Sequence, residues 1–317
     1  LNKRDPRIHD AFRVNVTDGT MKLIAENPGN ISGWMTDHDG NLRVAITSDG
    51  VNTSLLYRDS ESELFKTILT TDFKVRVDPL FFTFDNKNLY VASNRNRDKS
   101  AIYTFDITET QEKELIFEND QVDVSGLMYS KKRKVLTGVS YTVAKREIFF
   151  FDDWRKDIQN KLERKFPGYE VGITSFSKDE KNAVVVTYSD KSRGTYYSYD
   201  VEKNELNELA KISPWLNEDH MAEMKPITYT SRDGLTIPGY LTLPVGSDGK
   251  NLPFVVHPHG GPWARDSWGY NSEVQFLANR GYAIFQMNFR GSTGYGRKFW
   301  ESSFKQWGKT MQDDITD

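Results

Sequence analysis

The residues whose types and spacing could do chemistry lie in two glycine-rich turns, His257-Pro258-His259-Gly260-Gly261-Pro262 and Arg290-Gly291-Ser292-Thr293-Gly294-Tyr295-Gly296. Glycine lets the backbone turn sharply and lets a substrate approach bare N–H groups. N–H groups aimed at one point can stabilise the oxyanion of an acyl-transfer intermediate, as HGGG-type turns do in esterases. His259, Gly260 and Gly261 are therefore the candidate oxyanion and substrate-binding residues, against the alternative of a purely structural loop. The second turn fits neither G-x-G-x-x-G nor G-x-x-x-x-G-K-[ST], so nucleotide binding is not expected. Arg290 reads instead as a charge partner inside the sheet-end loops. His257 and His259 would share one side of an extended strand, but two ligands without a third at a recognisable spacing do not make a metal site. The expected role of a histidine here is to hold the turn by hydrogen bonds. His257 receives no role, and no metal or other cofactor is expected.

The elements that must position these turns are legible on either side of them. An apolar run at Phe254-Val255-Val256 leads into the first turn and a second, Tyr282 to Met287, leads into the other. An amphipathic segment near Ser272 to Asn279, closed by Gly281, lies between them. Strand, turn, helix and strand make one βαβ unit of a mostly parallel sheet, with both glycine turns at carboxyl ends of strands, where such sheets bind ligands. Upstream, Ile227 to Ser231 and Leu235 to Leu243 suit an antiparallel hairpin at the sheet edge. Downstream, Lys298 to Lys309 reads as a helix and Asp313 to Asp317 as the start of another.

Residues 1–212 have a different character. Four turn-then-strand segments begin at Asp39, Asp85, Lys131 and Asp179, and each is followed by an aromatic strand. The aromatic positions Tyr57, Tyr103, Phe149 and Tyr197 are spaced by 46, 46 and 48 residues. A period in the forties built from short strands marks a β-propeller, whereas a β-sandwich needs no fixed period. Phe12 to Ile24, a hairpin closed at Asp18-Gly19, matches the second half of one more unit. About four and a half blades are visible, followed by a linker at 213–226 and an α/β portion at 227–317. Within the first repeat unit, Asp37-His38-Asp39-Gly40-Asn41 approximates a calcium loop but lacks the later glutamate, so a turn between strands is expected.

Composition narrows the function classes. The 317 residues carry a net charge of −3, which gives no basic excess for nucleic acid or an anionic membrane. No cysteine is present, which removes disulfides, thiolate zinc sites and cysteine nucleophiles. No apolar run is long enough for a membrane-spanning helix. Leu1 to Asp5 does not read as a signal peptide, and because a removed leader leaves no trace, the compartment stays open between cytoplasm and periplasm. Aromatic residues at 13% suit a strand-rich chain.

HGGP after an apolar strand, NFRGSTGYG about thirty residues later, and Trp307-Gly308 followed by Asp313-Asp314 together resemble the prolyl oligopeptidase family of serine peptidases, in its acylaminoacyl peptidase and dipeptidyl peptidase branch. The resemblance implies an N-terminal propeller followed by the first part of an α/β-hydrolase domain. It implies a backbone oxyanion contribution at Gly260 and Gly261. Several members carry a tyrosine at the position of His259. It also implies a nucleophile on G-x-S-x-G with Asp and His following, yet no G-x-S-x-G occurs between Leu1 and Asp317. The Ser/Asp/His triad is thus expected outside these residues, in a longer protein of which this chain is a fragment. The implied function is hydrolysis of short peptides by acyl-enzyme chemistry. A carboxylesterase of the same fold and a non-catalytic propeller interaction module stand as alternatives, and homo-oligomerisation is left open.

Overall fold

A computed structural model describes residues 1–317. The chain divides into two compact units, Leu1–Asp120 and Gln121–Asp317. In the first, β1 (Ala11–Val14) pairs antiparallel with β2 (Met21–Ala25). Asp18 Oδ1 accepts from the N–H and hydroxyl of Thr20 at 2.9 and 2.7 Å, and Gly19 takes φ 73°, so the Asp-Gly pair closes the hairpin. Two four-stranded meanders follow. One comprises β3 (Ile31–Thr36), β4 (Leu42–Ser48), β5 (Asn52–Tyr57) and β6 (Lys66–Asp72); the other comprises β7 (Val77–Phe82), β8 (Leu89–Ser93), β9 (Ala101–Asp106) and β10 (Gln111–Phe117). The repeated segments are the second strands of these sheets and the aromatic segments are the third. Asp37 Oδ1 accepts from the N–H groups of Asp39 and Asn41, which makes the acidic stretch a turn between β3 and β4. Val44 and Leu55 pack with Phe82, Leu89, Val91 and Phe105 in one core that spans both sheets. Sheet-on-sheet burial of this kind is how a repeat too thin to be stable alone becomes stable in an array.

The second unit opens with β11 (Val124–Ser130), β12 (Val135–Thr142) and β13 (Arg146–Phe150), a sheet of three strands. Where the repeat leads one to expect a fourth strand, the chain forms α1 (Asp153–Lys165). Trp154, Ile158 and Leu162 recur at helical spacing, and Ile158 and Leu162 pack on Val171, Val185 and Tyr199 of the next sheet. Asp152, just after β13, is the helix N-cap and accepts from Arg155 N at 2.8 Å. A full meander follows in β14 (Glu170–Phe176), β15 (Asn182–Tyr188), β16 (Thr195–Asp200) and β17 (Glu205–Lys211). The expected boundaries at 212 and 226 fall inside this unit. Segment 212–223 contains a single 3₁₀ turn, Glu218–His220, and Glu218 accepts from the Tyr169 hydroxyl at 2.5 Å.

The last sheet contains β18 (Met224–Thr230), β19 (Thr236–Thr242), β20 (Phe254–Val256) and β21 (Ala283–Met287), in the order β18-β19-β21-β20. The β18–β19 hairpin is antiparallel with β18 at the edge, and β20 runs parallel to β21 through α2 (Ser272–Ala278). A mostly parallel sheet was expected, but β19 meets β21 antiparallel, so the β20–β21 pair is the one parallel pairing in the sheet. Alternation along β21 puts Ile284 against Val274 and Ala278 of α2, while Met287 faces the opposite layer with Ile237 and Met311.

The helix expected over Lys298 to Lys309 is shorter. It is α3 (Arg297–Glu301), after which Ser302 and Ser303 hydroxyls bond back to the carbonyls of Phe299 and Trp300, and Lys305 and Gly308 take φ 60° and 67°. Side-chain bonds to the backbone compete with the helical ladder, and left-handed residues end it. The final helix α4 (Thr310–Thr316) starts three residues before the expected point.

Candidate active site

The first glycine turn leaves the carboxyl end of β20. His257 N–H extends the ladder by donating to Phe285 O at 2.8 Å, but the strand has ended at Val256 and the two imidazoles part. His257 Nε2 lies 3.4 Å from Glu273 on α2. His259 turns the other way, stacks on Phe289 with ring centroids 4.6 Å apart, and sets Nε2 2.8 Å from Ser292 Oγ. The Ser292 hydroxyl donates to Phe289 O at 2.7 Å. His259 Nδ1 lies 2.9 Å from Gly260 O. The histidine thus holds one glycine turn to the other. No group of three or more His, Cys, Asp or Glu is arranged to hold a metal ion.

Gly261 takes φ 132°, and a Cβ there would stand 2.8 Å from Trp263 N. Only glycine fits that turn without strain. At Gly260 a Cβ would meet nothing within 4 Å, so this face of the turn is open. The hydrogen bonds of the turn use the Gly260 carbonyl and leave the N–H groups of Gly260 and Gly261 without a protein acceptor. Beyond it, Trp263 is anchored by Nε1 donating to Ser303 Oγ at 3.1 Å and by edge contact with Trp300.

A second set of bonds straps the segment after the turn to the loop after β21. Thr293 N–H donates to Ala264 O at 2.8 Å. Buried Asn288 accepts from Asp266 N at 2.7 Å and donates to Asp266 O at 3.0 Å, as a neighbouring strand would. Asn288 and Arg265 both donate to Tyr295 OH at 2.8 Å. Burial pushes the Tyr295 hydroxyl up to about 12, so it stays protonated over the physiological range. Burial also raises the Asp266 carboxyl, whose Oδ1 accepts from Gln286 and whose Oδ2 has no hydrogen-bond partner. Asp266, Asn288, Tyr295 and Arg265 were not singled out from sequence. Asn288 and Tyr295 stand inside the recognised motif, but nothing in their spacing tells that they meet.

Arg290 does not face the open turn. Its Nε and Nη2 donate to Asp314 at 2.8 and 2.7 Å, and its Nη1 and Nη2 reach Asp233 at 2.8 and 2.9 Å. The backbone N–H of Arg290 also donates to Asp314, which is fully buried. This ties the loop after β21 to α4 and to the β18–β19 turn. Hydrogen bonds donated to Asp314 and then to Asp233 raise the guanidinium above its ordinary value, and Arg290 in turn holds Asp233 well below the usual carboxylate range.

The first strand of the βαβ unit thus ends in an open glycine turn, and Arg290, on the neighbouring loop, is tied to Asp314 and Asp233. The model of the prolyl oligopeptidase family matches residues 268–317. The chain is 32% identical, along its whole length and 47% of the relative's, to dipeptidyl aminopeptidase BIII of Pseudoxanthomonas mexicana. It is 25% identical over the same shares to dipeptidyl peptidase family member 6 of Caenorhabditis elegans. A crystal structure of a puromycin hydrolase superposes with a TM-score of 0.71 at 18% identity, covering 93% of this chain and 47% of that one. A puromycin-hydrolysing peptidase of Mycobacterium tuberculosis does so at 0.70 and 19% identity, covering 94% and 47%. These likenesses show the fold. The chain spans about half the length of the curated relatives it matches.

Proposed function

We propose that the protein containing this chain is a serine peptidase that acts on short peptides through an acyl-enzyme. In this reading residues 1–212 are propeller blades that restrict access, 213–226 is the connection, and 227–317 is the first part of an α/β-hydrolase domain. Gly260 and Gly261 donate to the oxyanion. His259 holds their turn against Ser292, and Arg290 supports the neighbouring loop from behind. The serine, aspartate and histidine of the triad lie outside residues 1–317. The observation that carries the reading is the open Gly260–Gly261 turn at the end of β20, with two N–H groups not engaged by the protein. The names of the full-length relatives favour removal of dipeptides from the amino end of the substrate.

Fluorophosphonate labelling of the full-length protein tests the reading, and a protein with no labelled serine after Asp317 would refute it. A carboxylesterase rests on the same turn, and relative turnover of aminoacyl amides and short-chain esters separates the two. The absence of G-x-S-x-G within 1–317 is what favours a non-catalytic propeller module. That module is ruled out if the full-length sequence carries G-x-S-x-G followed by Asp and His.

A further inference from the structure

We propose that Arg265 is a positioning residue that sets the oxyanion turn against the tip of the β12–β13 hairpin, so that the hairpin helps determine where Gly260 and Gly261 point. The proposal rests on the serine-peptidase reading above. Arg265 follows the glycine turn by four residues and reaches in two directions at once. Its Nη1 and Nη2 donate to the carbonyls of Thr142 and Val143 at the hairpin tip, at 3.4 and 3.2 Å. Nη2 also donates to Tyr295 OH at 2.8 Å, and the guanidinium lies 4.3 Å over the Tyr295 ring.

The surroundings are built for this guanidinium. A Cβ at Gly294 would stand 2.5 Å from Arg265 Nη1, so the glycine makes room for it as well as taking φ 90°. Tyr295 OH already accepts from Asn288, and Asn288 brackets the backbone of Asp266, the residue after Arg265. The hairpin tip has further holds on the same loop and on β19. Ala144 O accepts from Tyr240 OH at 2.7 Å, and Lys145 lies 3.6 Å over the Trp268 ring. Of these contacts, Arg265 is the one nearest along the chain to Gly261. Moving the hairpin therefore moves Arg265, and through four residues of chain the turn.

A flat fork with several donors can hold two carbonyls and a hydroxyl together, which a lysine ammonium on a flexible stem does not. A misplacement of about 1 Å at a reacting centre costs on the order of a hundredfold in rate. The full-length enzyme with Arg265→Lys or Arg265→Ala is assayed on a peptide substrate, with kcat expressed per fluorophosphonate-labelled serine. The expected result is a fall in kcat of roughly tenfold for Lys and about a hundredfold for Ala, with KM changed by no more than about twofold, because oxyanion contacts form in the transition state. Millimolar methylguanidinium should restore part of the Arg265→Ala rate. A purely structural role would reduce the number of labelled sites and leave kcat per site intact. Should Arg265→Ala not fold, Gly294→Ala presses on the same guanidinium without removing its donors, and the same drop in kcat per site is expected. If the wild type takes no label, the serine-peptidase reading falls and this proposal with it. If the wild type labels and turns over while the folded variants keep its kcat per site, the positioning role alone is refuted.

Discussion

At the scale of single residues, ionisable groups around the turns divide into those that are paired and those that are not. Arg290 is the paired case. Removing one member of a buried, hydrogen-bonded ion pair leaves the other charged and desolvated, which costs roughly 3–5 kcal/mol. Arg290→Met is expected to lose about that much in urea denaturation because it strands Asp314, and a loss below about 1 kcal/mol would contradict the bracing role. Asp266 is the unpaired case, with its carboxyl raised by burial. The folded state then holds the proton more tightly than the unfolded chain, so this group's contribution is complete below the ordinary carboxylate value and is lost as pH rises through the raised one. Asp266→Asn removes that titration. Relative to wild type, its stability should climb with pH across that window and level off below pH 4, as read from urea midpoints at pH 4, 5, 6 and 7. A flat difference would show that the Asp266 carboxyl is not perturbed in the fold.

At the scale of elements, the departures from the repeat have local causes. The three-stranded sheet β11–β13 is followed by α1 because Asp152 can cap a helix and the next residues place apolar side chains at helical spacing. Arg133 binds Asp152 and Glu180, and so joins the helix start to the turn before β15. The glycine turns differ in a way that can be measured. Gly19 and Gly291 both have positive φ, but a Cβ at Gly19 meets nothing within 4 Å, while one at Gly291 stands 2.6 Å from Ser303 Cβ. Gly19→Ala should cost about 1–2 kcal/mol for the left-handed backbone alone. Gly291→Ala should cost more, because the turn must also separate from Ser303, just after α3. Equal shifts in thermal midpoint for the two would mean that the contact at Ser303 relaxes freely.

At the scale of the whole molecule, β-meanders and an α/β sheet occur in one chain, and the motifs that match the peptidase family cluster on the α/β sheet. Residues 1–317 expressed alone contain no G-x-S-x-G and should take no fluorophosphonate label, while the full-length protein should be labelled at a single serine. Labelling of the short chain would mean that one of its own serines is activated.

Sequence alone was enough for whatever depends on neighbours along the chain. The Asp18-Gly19 hairpin and the HGGP and NFRGSTGYG turns are each set by residues within a few positions of one another, the period in the forties and the βαβ unit come from the order of such short segments, and the two turns carried the family resemblance. The helix over 153–165 is not marked by the period, although Trp154, Ile158 and Leu162 stand at helical spacing. Tertiary structure decided which distant groups meet. Arg290 pairs with Asp314 from 24 residues away, and Arg265 binds carbonyls more than 120 residues upstream. The side of each strand that faces another layer follows from alternation. Which carbonyl lies under which guanidinium depends instead on how loops close over long separations, and nearby residue types carry no record of that. His259 shows both parts of the lesson, since its turn-holding role was readable from its place before two glycines, whereas its partner Ser292 became known only when β20 and β21 were set side by side.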